Sequence, residues 1–386
     1  MLSNQKGLSA LIYLDNAATT KPCEAAKAGV MKGLEVFGNP SSLHRCGLDA
    51  ELLVTDARTA IAESLGCLAE EIFFTSGATE SSNTAIFGAY KSQGKRKHRV
   101  VTTTTEHPAT ARPIDELERL GCEVIRISPD ENGVISAEAV ADAVNEDTFL
   151  VSMMLVNNET GAILPVSKAF NAIHRRFPKA ITHCDCVQGY MKLPVKTKTL
   201  GADLISLSAH KICGPKGTGA LFIRKGLHLP ALLMGGGQEK NMRSGTESVP
   251  LICGFGEAVK HYSKNIAERL ESAKKLEALL FELCEKNGGI GVNFRGEKSP
   301  YVTSITVDGL KSEVLLHYLE KRGIFVSSGS ACSKGKKSGV LAEFRIPVQA
   351  MDTTLRISFS PDTTEEDLRG LMEGISAAQS ELVRLK

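Results

Sequence analysis

Nowhere in the chain is there an apolar run approaching the roughly 18 residues that cross a bilayer. The first ten residues, Met1 to Ala10, also lack an apolar core flanked by positive charge. A cytoplasmic, membrane-free protein is expected. Charge of one sign is missing as well: 46 Lys and Arg against 44 Asp and Glu leave a formal net charge of +2, which sets up no general field for nucleic acid or an anionic surface. There is no internal repeat, low-complexity tract or nucleic-acid motif, so partners have to be argued from sites. Paired cysteine spacings are absent too. The ten cysteines (23, 46, 67, 122, 184, 186, 213, 253, 284 and 332) are scattered singly, which reads as reduced thiols, most of them small core hydrophobes, and not as a disulfide framework. The one cluster that resembles metal ligands is His183-Cys184-Asp185-Cys186. As a strand it puts His183 and Asp185 on one face and the two cysteines on the other. The expected reading is a buried strand with one exposed acidic group at its end, and no metal site.

What is present is an ordinary globular composition, 42% hydrophobic and 23% charged over 386 residues, enough for a large domain and a smaller one. Short apolar runs at 71–75, 100–104, 123–127, 148–156, 180–185, 202–207 and 220–223 read as strands. Helical patterns at 80–90, 109–120 and 167–176 separate several of them, the signature of βαβ units around a mainly parallel sheet. Helices are also expected from Pro22 to about Gly33 and from Leu48 to Leu65. A long helical stretch from Leu251 to Asn287, charge-rich in its later part, reads as an exposed bridge between domains. Beyond it, strands at 302–307 and 355–359, an apolar Phe325-Val326 and helices at 312–321 and 365–385 make a small α+β unit. The boundary is placed near 260: a large domain over 14–260 and a small one over 261–386 joined by residues 1–13.

The chemical centre is read at Ser206-Leu-Ser-Ala-His-Lys211, where an apolar strand ends in a lysine and the chain at once turns through Gly214, Pro215, Gly217 and Gly219. Such a lysine is a candidate for Schiff-base chemistry, because it can be desolvated where backbone approaches a ligand closely. The competing reading is a loop lysine snorkelling into solvent. Ser76-Gly77-Ala78-Thr79 follows a strand and opens a helix, so it reads either as an anion site on unsatisfied N–H groups or as simple N-capping. In open α/β sheets ligands gather beyond the carboxyl ends of the strands. His107, Asn158, Asp185, Gln188 and Lys211 all stand just past such ends, so one crevice can gather all five.

Taken together, Asp-Asn-Ala-Ala-Thr-Thr20, Phe-Gly-Asn-Pro-Ser-Ser42, Thr-Ser-Gly-Ala-Thr-Glu80, Thr-Glu-His107, Val-Asn-Asn-Glu159, Asp185 with Gln188, His-Lys211 before Gly-Pro-Lys-Gly217, Met-Arg-Ser-Gly-Thr246 and Ser-Ser-Gly-Ser-Ala-Cys332 closely resemble the signatures of the NifS/IscS-type cysteine desulfurases. These are class V aminotransferases of the fold-type-I pyridoxal phosphate (PLP) architecture: a mainly parallel seven-stranded sheet plus a small α+β domain. The resemblance runs from Leu14 to about Ser360 in unbroken order.

The resemblance implies that Lys211 holds PLP covalently and moves the α-proton of L-cysteine, that Asp185 faces the pyridine nitrogen, and that Gln188 bonds the ring hydroxyl. His107 would stack on the ring and transfer protons. Ala78, Thr79, Ser208 and His210 would hold the phosphate, with Thr246 reaching that of the neighbouring subunit in a homodimer. Asn158 would lie beside substrate and cofactor, Arg356 would clamp the amino-acid carboxylate, and Cys332 would take the sulfur as a persulfide, releasing alanine. A sulfur acceptor or iron–sulfur scaffold protein is the implied partner. The rivals are a selenocysteine lyase or another class V PLP reaction, and, outside enzymes, a metal or cluster scaffold; transamination needs no thiol, and the dispersed cysteines disfavour a scaffold. The sequence departs from the family at Ala209 (usually Gly), Cys186 (usually Ala), Tyr190-Met191 (usually smaller) and the basic Lys334–Gly339 segment with a shortened stretch to Arg356.

Overall fold

The computed structural model describes residues 11–328 and 339–383. The strands in chain order are β1 Ile12–Tyr13, β2 Ile72–Thr75, β3 Arg99–Thr103, β4 Glu123–Ile127, β5 Thr148–Met154, β6 Ile181–Asp185, β7 Leu204–Ser208, β8 Gly219–Ile223, β9 Ile290–Val292, β10 Val302–Val307, β11 Ile324–Phe325, β12 Ser327–Ser328 and β13 Thr354–Ser358. Seven form one sheet in the order β2-β8-β7-β6-β5-β3-β4, in which β8 runs against the other six. Every residue of β5, β6 and β7 is buried, as expected for central strands covered on both faces. Helices Arg45–Leu65, Val166–Arg176 and Val249–Tyr262 contribute to one apolar layer, and Ala78–Gln93 with Pro108–Arg119 to the other.

A second sheet, β12-β13-β10-β9, is antiparallel throughout and packs on helices Ile266–Asn287 and Glu365–Glu381. Its core holds Ile305, Val307, Leu355, Ile357, Leu368 and Leu371. β1 pairs in parallel with β11. The chain then continues through Leu14–Thr20 into the large sheet's crevice. Asn16 Nδ2 donates to the Ser358 carbonyl at 2.9 Å, and the Ala17 N–H donates to Ser358 Oγ at 2.8 Å. Segment 13–20 therefore lies between the two sheets and touches both.

Two expectations need correction. The helical stretch from 251 to 287 is two helices, Val249–Tyr262 and Ile266–Asn287, broken by a 3-10 turn at Ser263–Asn265 where Asn265 leaves helical backbone (φ −131°, ψ 38°). Nor is its second half an exposed bridge: Ala273, Leu280 and Cys284 are buried in the second core, with Leu270, Leu276, Leu279 and Leu283 packed against it.

Candidate active site

The site is built at the carboxyl ends of β3, β6 and β7, where polar side chains leave apolar strands. His107 caps the helix Pro108–Arg119: its Nδ1 accepts from the Ala109 N–H at 3.1 Å, and Pro108 starts the first turn with no N–H to satisfy. With Nδ1 accepting, a neutral ring carries its proton on Nε2. Burial and the neighbouring Lys211 hold the imidazole below its usual range, against the pull of Asp185. The ring is therefore neutral at pH 7.

Asp185 ends β6. Alternation puts Cys184 and Cys186 on the opposite face, their Sγ atoms 3.4 Å apart in the apolar layer. His183, on the Asp185 face, is held between Ser152 Oγ and Ser206 Oγ at 2.8 and 2.9 Å. Asp185 is not the exposed end that alternation alone suggested; it is 5% exposed. Burial raises its carboxyl, while the Val187 N–H on Oδ1, His107 and Lys211 pull it back down. Among the described residues Oδ2 takes no hydrogen bond.

Past β7 the chain makes a 3-10 turn, Ala209–Lys211, pinned by segment 13–20: Thr20 donates N–H and Oγ1 to the His210 carbonyl, and Thr19 Oγ1 meets His210 Nδ1 at 3.2 Å. Lys211 Nζ donates to the Ala17 and Ala18 carbonyls, both at 2.7 Å. Gln188 Nε2 also donates to Ala17, at 2.9 Å. These two carbonyls hold the amine at the crevice floor.

One row across β7, β8 and β2 joins Ser208, Gly219 and Thr75. A Cβ on Gly219 would lie 2.5 Å from the Leu207 carbonyl and 2.7 Å from Gly77 Cα, so only glycine permits that approach. Gly77, at φ +151°, starts the helix Ala78–Gln93 without a side-chain cap. The first N–H groups of that helix, at Ala78 and Thr79, are thus left for an anion beside Ser208. Simple N-capping by Ser76 or Thr79 is not what the turn shows, since no side chain caps this helix. Thr246 is exposed and borders a separate cavity of about 160 Å³ with Ser76 and Thr218.

Arg356, on β13 of the smaller sheet, is 8% exposed and points back to the crevice. Its Nη2 donates to Asp15 Oδ1 at 2.8 Å, its Nη1 to the Asn158 carbonyl at 3.2 Å, and its Nε is buried without a partner. The neighbouring Asn157 is structural, its Oδ1 accepting from the Glu159 and Thr160 N–H groups. Cys332 and the basic run 334–338 lie outside the described residues.

The departures at 186, 190, 191 and 209 are absorbed locally. Ala209 sets its methyl against Gly214, where an added Cβ would come within 3.0 Å of it. Tyr190 is buried with its hydroxyl 2.6 Å from Ser64 Oγ, and Met191 sits in the left-handed region at φ +60°. Five residues contribute for which the sequence reading gave no individual role. They are Asp15, the Ala17 and Ala18 carbonyls, Lys192, whose Nζ donates to Gln188 Oε1 at 2.8 Å, and Glu106, whose Oε1 accepts from Thr103 Oγ1 and the Met154 N–H. Asp15, Ala17 and Ala18 lie in the Asp-Asn-Ala-Ala-Thr-Thr20 run and Glu106 in the Thr-Glu-His107 run, so all but Lys192 had a sequence signal.

A family model described as aminotransferase class-V matches residues 12–371. The cysteine desulfurase IscS of Dictyoglomus turgidum is 37% identical over 364 residues, covering 92% of this chain and 91% of that protein. A solved NifS-like protein superposes with a TM-score of 0.91 at 33% identity, covering 96% of this chain and all of the other. A structure described as SspA in complex with cysteine superposes at 0.80 and 30% identity, covering 91% and 99%.

Proposed function

The chain belongs to the class-V aminotransferase family, and on that premise we propose that it is a PLP-dependent cysteine desulfurase, converting L-cysteine to L-alanine and passing the sulfur to Cys332. The observation that carries this reading is the meeting of Lys211, Asp185, His107 and Gln188 on one side of an uncapped helix start. Enzymes of this family use PLP, and the donor set here fits it. There is an amine on two carbonyls, a buried carboxylate with one unengaged oxygen, and an anion cradle at Ala78, Thr79 and Ser208 into which Gly77 places no side chain.

PLP, when bound, takes up the electron pair left at the substrate Cα and so makes the Cα proton and the Cβ sulfur labile. The residues do the rest. Lys211 would hold the cofactor, and its Nζ would move the α-proton of the substrate. Asp185 balances charge at the ring nitrogen; its desolvated carboxylate is strongest toward a cation brought beside it. Gln188 donates to the ring hydroxyl. His107 covers the ring and offers its Nε2 proton. Ala78, Thr79, Ser208 and His210 hold the phosphate, Asn158 borders the substrate, and Arg356 grips its carboxylate with the donors Asp15 leaves free. The Cys332 thiolate attacks the substrate sulfur; the carbon–sulfur bond breaks, the sulfur stays on Cys332 as a persulfide, and the three-carbon product leaves as alanine.

Domains over 14–260 and 261–386, the latter with 1–13, suit these roles, since substrate contacts come from both sheets. A homodimer is supported by a run of exposed apolar side chains, Met31, Leu34, Phe37, Leu43, Leu48 and Leu52, with Phe37 86% and Leu43 94% exposed. Thr246, itself exposed, would complete the partner's phosphate site. The sulfur acceptor is proposed as a protein of iron–sulfur or other sulfur-cofactor assembly in the cytoplasm; no helix among the described residues is long and apolar enough to cross a membrane. The cofactor reading is tested by borohydride reduction of the PLP-loaded protein and peptide mapping: the label is expected on Lys211, and a label elsewhere, or no visible band after PLP addition, overturns it.

A further inference from the structure

Lys192 is 7% exposed and takes part in no ion pair among the described residues. The chain reaches it through successive turns, with Tyr190 N–H on the Cys186 carbonyl and Lys192 N–H on the Gly189 carbonyl, and through Met191 at φ +60°. A left-handed methionine costs about 1–2 kcal/mol, so this path is held by what surrounds it. The charged and titratable groups acting on Lys192 are Lys211, Cys213 and Arg356, with His210 in electrostatic reach, and Tyr262, Arg269 and Tyr301 line the same cavity. Burial and then Lys211 push its ammonium down to about 7. A methionine or leucine would fill the same space without a desolvated amine. Packing therefore does not explain Lys192.

Its one hydrogen-bond partner among the described residues does. Nζ donates to Gln188 Oε1 at 2.8 Å, while Gln188 Nε2 donates to the Ala17 carbonyl that Lys211 also uses. The two ends of an amide have the same shape, and burial alone would not choose between them. As an ammonium Lys192 can only donate, and the Ala17 carbonyl can only accept whatever the lysine's protonation, so this pair admits a single orientation of Gln188. Flipping it would set carbonyl against carbonyl and amide N–H against ammonium. In the permitted orientation Nε2 keeps a second hydrogen besides the one given to the Ala17 carbonyl.

We propose that Lys192 is a positioning residue, acting through Gln188 to hold that second N–H toward the ring hydroxyl of the bound cofactor. The inference rests on the PLP reading above and adds a residue to it. A hydrogen bond to the ring oxygen favours its ionised form, so losing the donor moves the pH at which the bound cofactor's visible band changes.

The test is a double-mutant cycle on that band, in PLP-loaded parent, Lys192→Met, Gln188→Ala and the double variant, with Lys192→Ala in place of the methionine variant should that fail to fold. The midpoint should move by about one pH unit in Lys192→Met, and the same replacement should move it little once Gln188 is alanine. Lys192→Gln, an uncharged donor, should restore most of the parental midpoint. A methionine variant with the parental midpoint overturns the proposal. So does an equal shift in both backgrounds, because the lysine would then act by its own charge. Borohydride labelling of Lys211 separates this from the premise: no label in the parent overturns the cofactor reading and this inference with it, whereas a labelled parent with an unmoved Lys192→Met overturns the inference alone.

Discussion

Lys211 and Gln188 share one acceptor, the Ala17 carbonyl, at 2.7 and 2.9 Å. That carbonyl belongs to the strip Asp15–Thr20, which also bonds Arg356 through Asp15 and Ser358 through Asn16 and Ala17. Cofactor-side and substrate-side groups are thus set by one short backbone segment, and a change in its position would be felt by both.

Substrate capture follows from the Arg356 fork. Arg356→Lys keeps the charge but loses the planar pair of donors, and hydrogen bonds to charged groups are worth about 1.5–3 kcal/mol. Steady-state kinetics should show kcat/KM for L-cysteine lower by roughly tenfold to a hundredfold. Asp15→Asn should raise KM by a smaller factor. An unchanged KM in the lysine variant would remove Arg356 from substrate binding.

Asp185→Asn separates catalysis from stability. The carboxyl is buried and burial raises it, so its removal should leave the apo-protein's Tm unchanged or slightly higher, because a desolvated charge has gone. The Val187 N–H still finds an amide oxygen. Turnover should fall by a factor of about a hundred or more. Parallel losses in Tm and turnover would instead make Asp185 a structural residue.

Glu106 gives a pH dependence of stability. Burial pushes its carboxyl from 4.5 up to about 8, with Asp185 adding to the rise and bonds from Thr103 and Met154 opposing it. The folded state therefore binds a proton that the unfolded state has released. This contribution is complete below about pH 4.5 and is lost as the pH rises through about 8. Denaturant titrations should show Glu106→Gln gaining on the parent across that window, by as much as roughly 5 kcal/mol at the alkaline end. A constant difference between the two proteins would mean that Glu106 is ionised throughout.

The subunit exchange implied by Thr246 is open to a direct experiment. Mixed dimers of a Lys211→Ala subunit with a Thr246→Ala subunit should contain one site with both defects and one intact site, retaining about half the parental activity if sites act independently. If Thr246 serves its own subunit, each site carries one defect and the mixed dimer is nearly inactive.

The large sheet was legible because its central strands β5, β6 and β7, buried throughout, read as unbroken apolar runs bounded by polar residues and glycines. The same rule put His107, Asp185 and Lys211 at strand ends. Asp15 was not legible as Arg356's partner, since the two are 341 residues apart and nothing local to either announces the other. Lys192 had no reading from the sequence, its setting being fixed by a Gln188 amide that the fold buries. The break at Ser263–Asn265 carries neither proline nor glycine, so helical periodicity ran through it. Asp185 read as exposed because alternation assigns a face, while the His107 and Lys211 that cover it come from beyond other strands.

The account is tested most directly by a single turnover of the PLP-loaded protein with L-cysteine. Alanine is counted per site, the modified cysteine is located by peptide mapping, and sulfide is measured after a dithiol is added. One alanine per site, with the sulfur on Cys332 and released as an equal amount of sulfide, is the expected result, and Cys332→Ala should keep the visible cofactor band while yielding neither product. Alanine and sulfide at the parental rate from Cys332→Ala, or sulfur mapped to another cysteine, would contradict it.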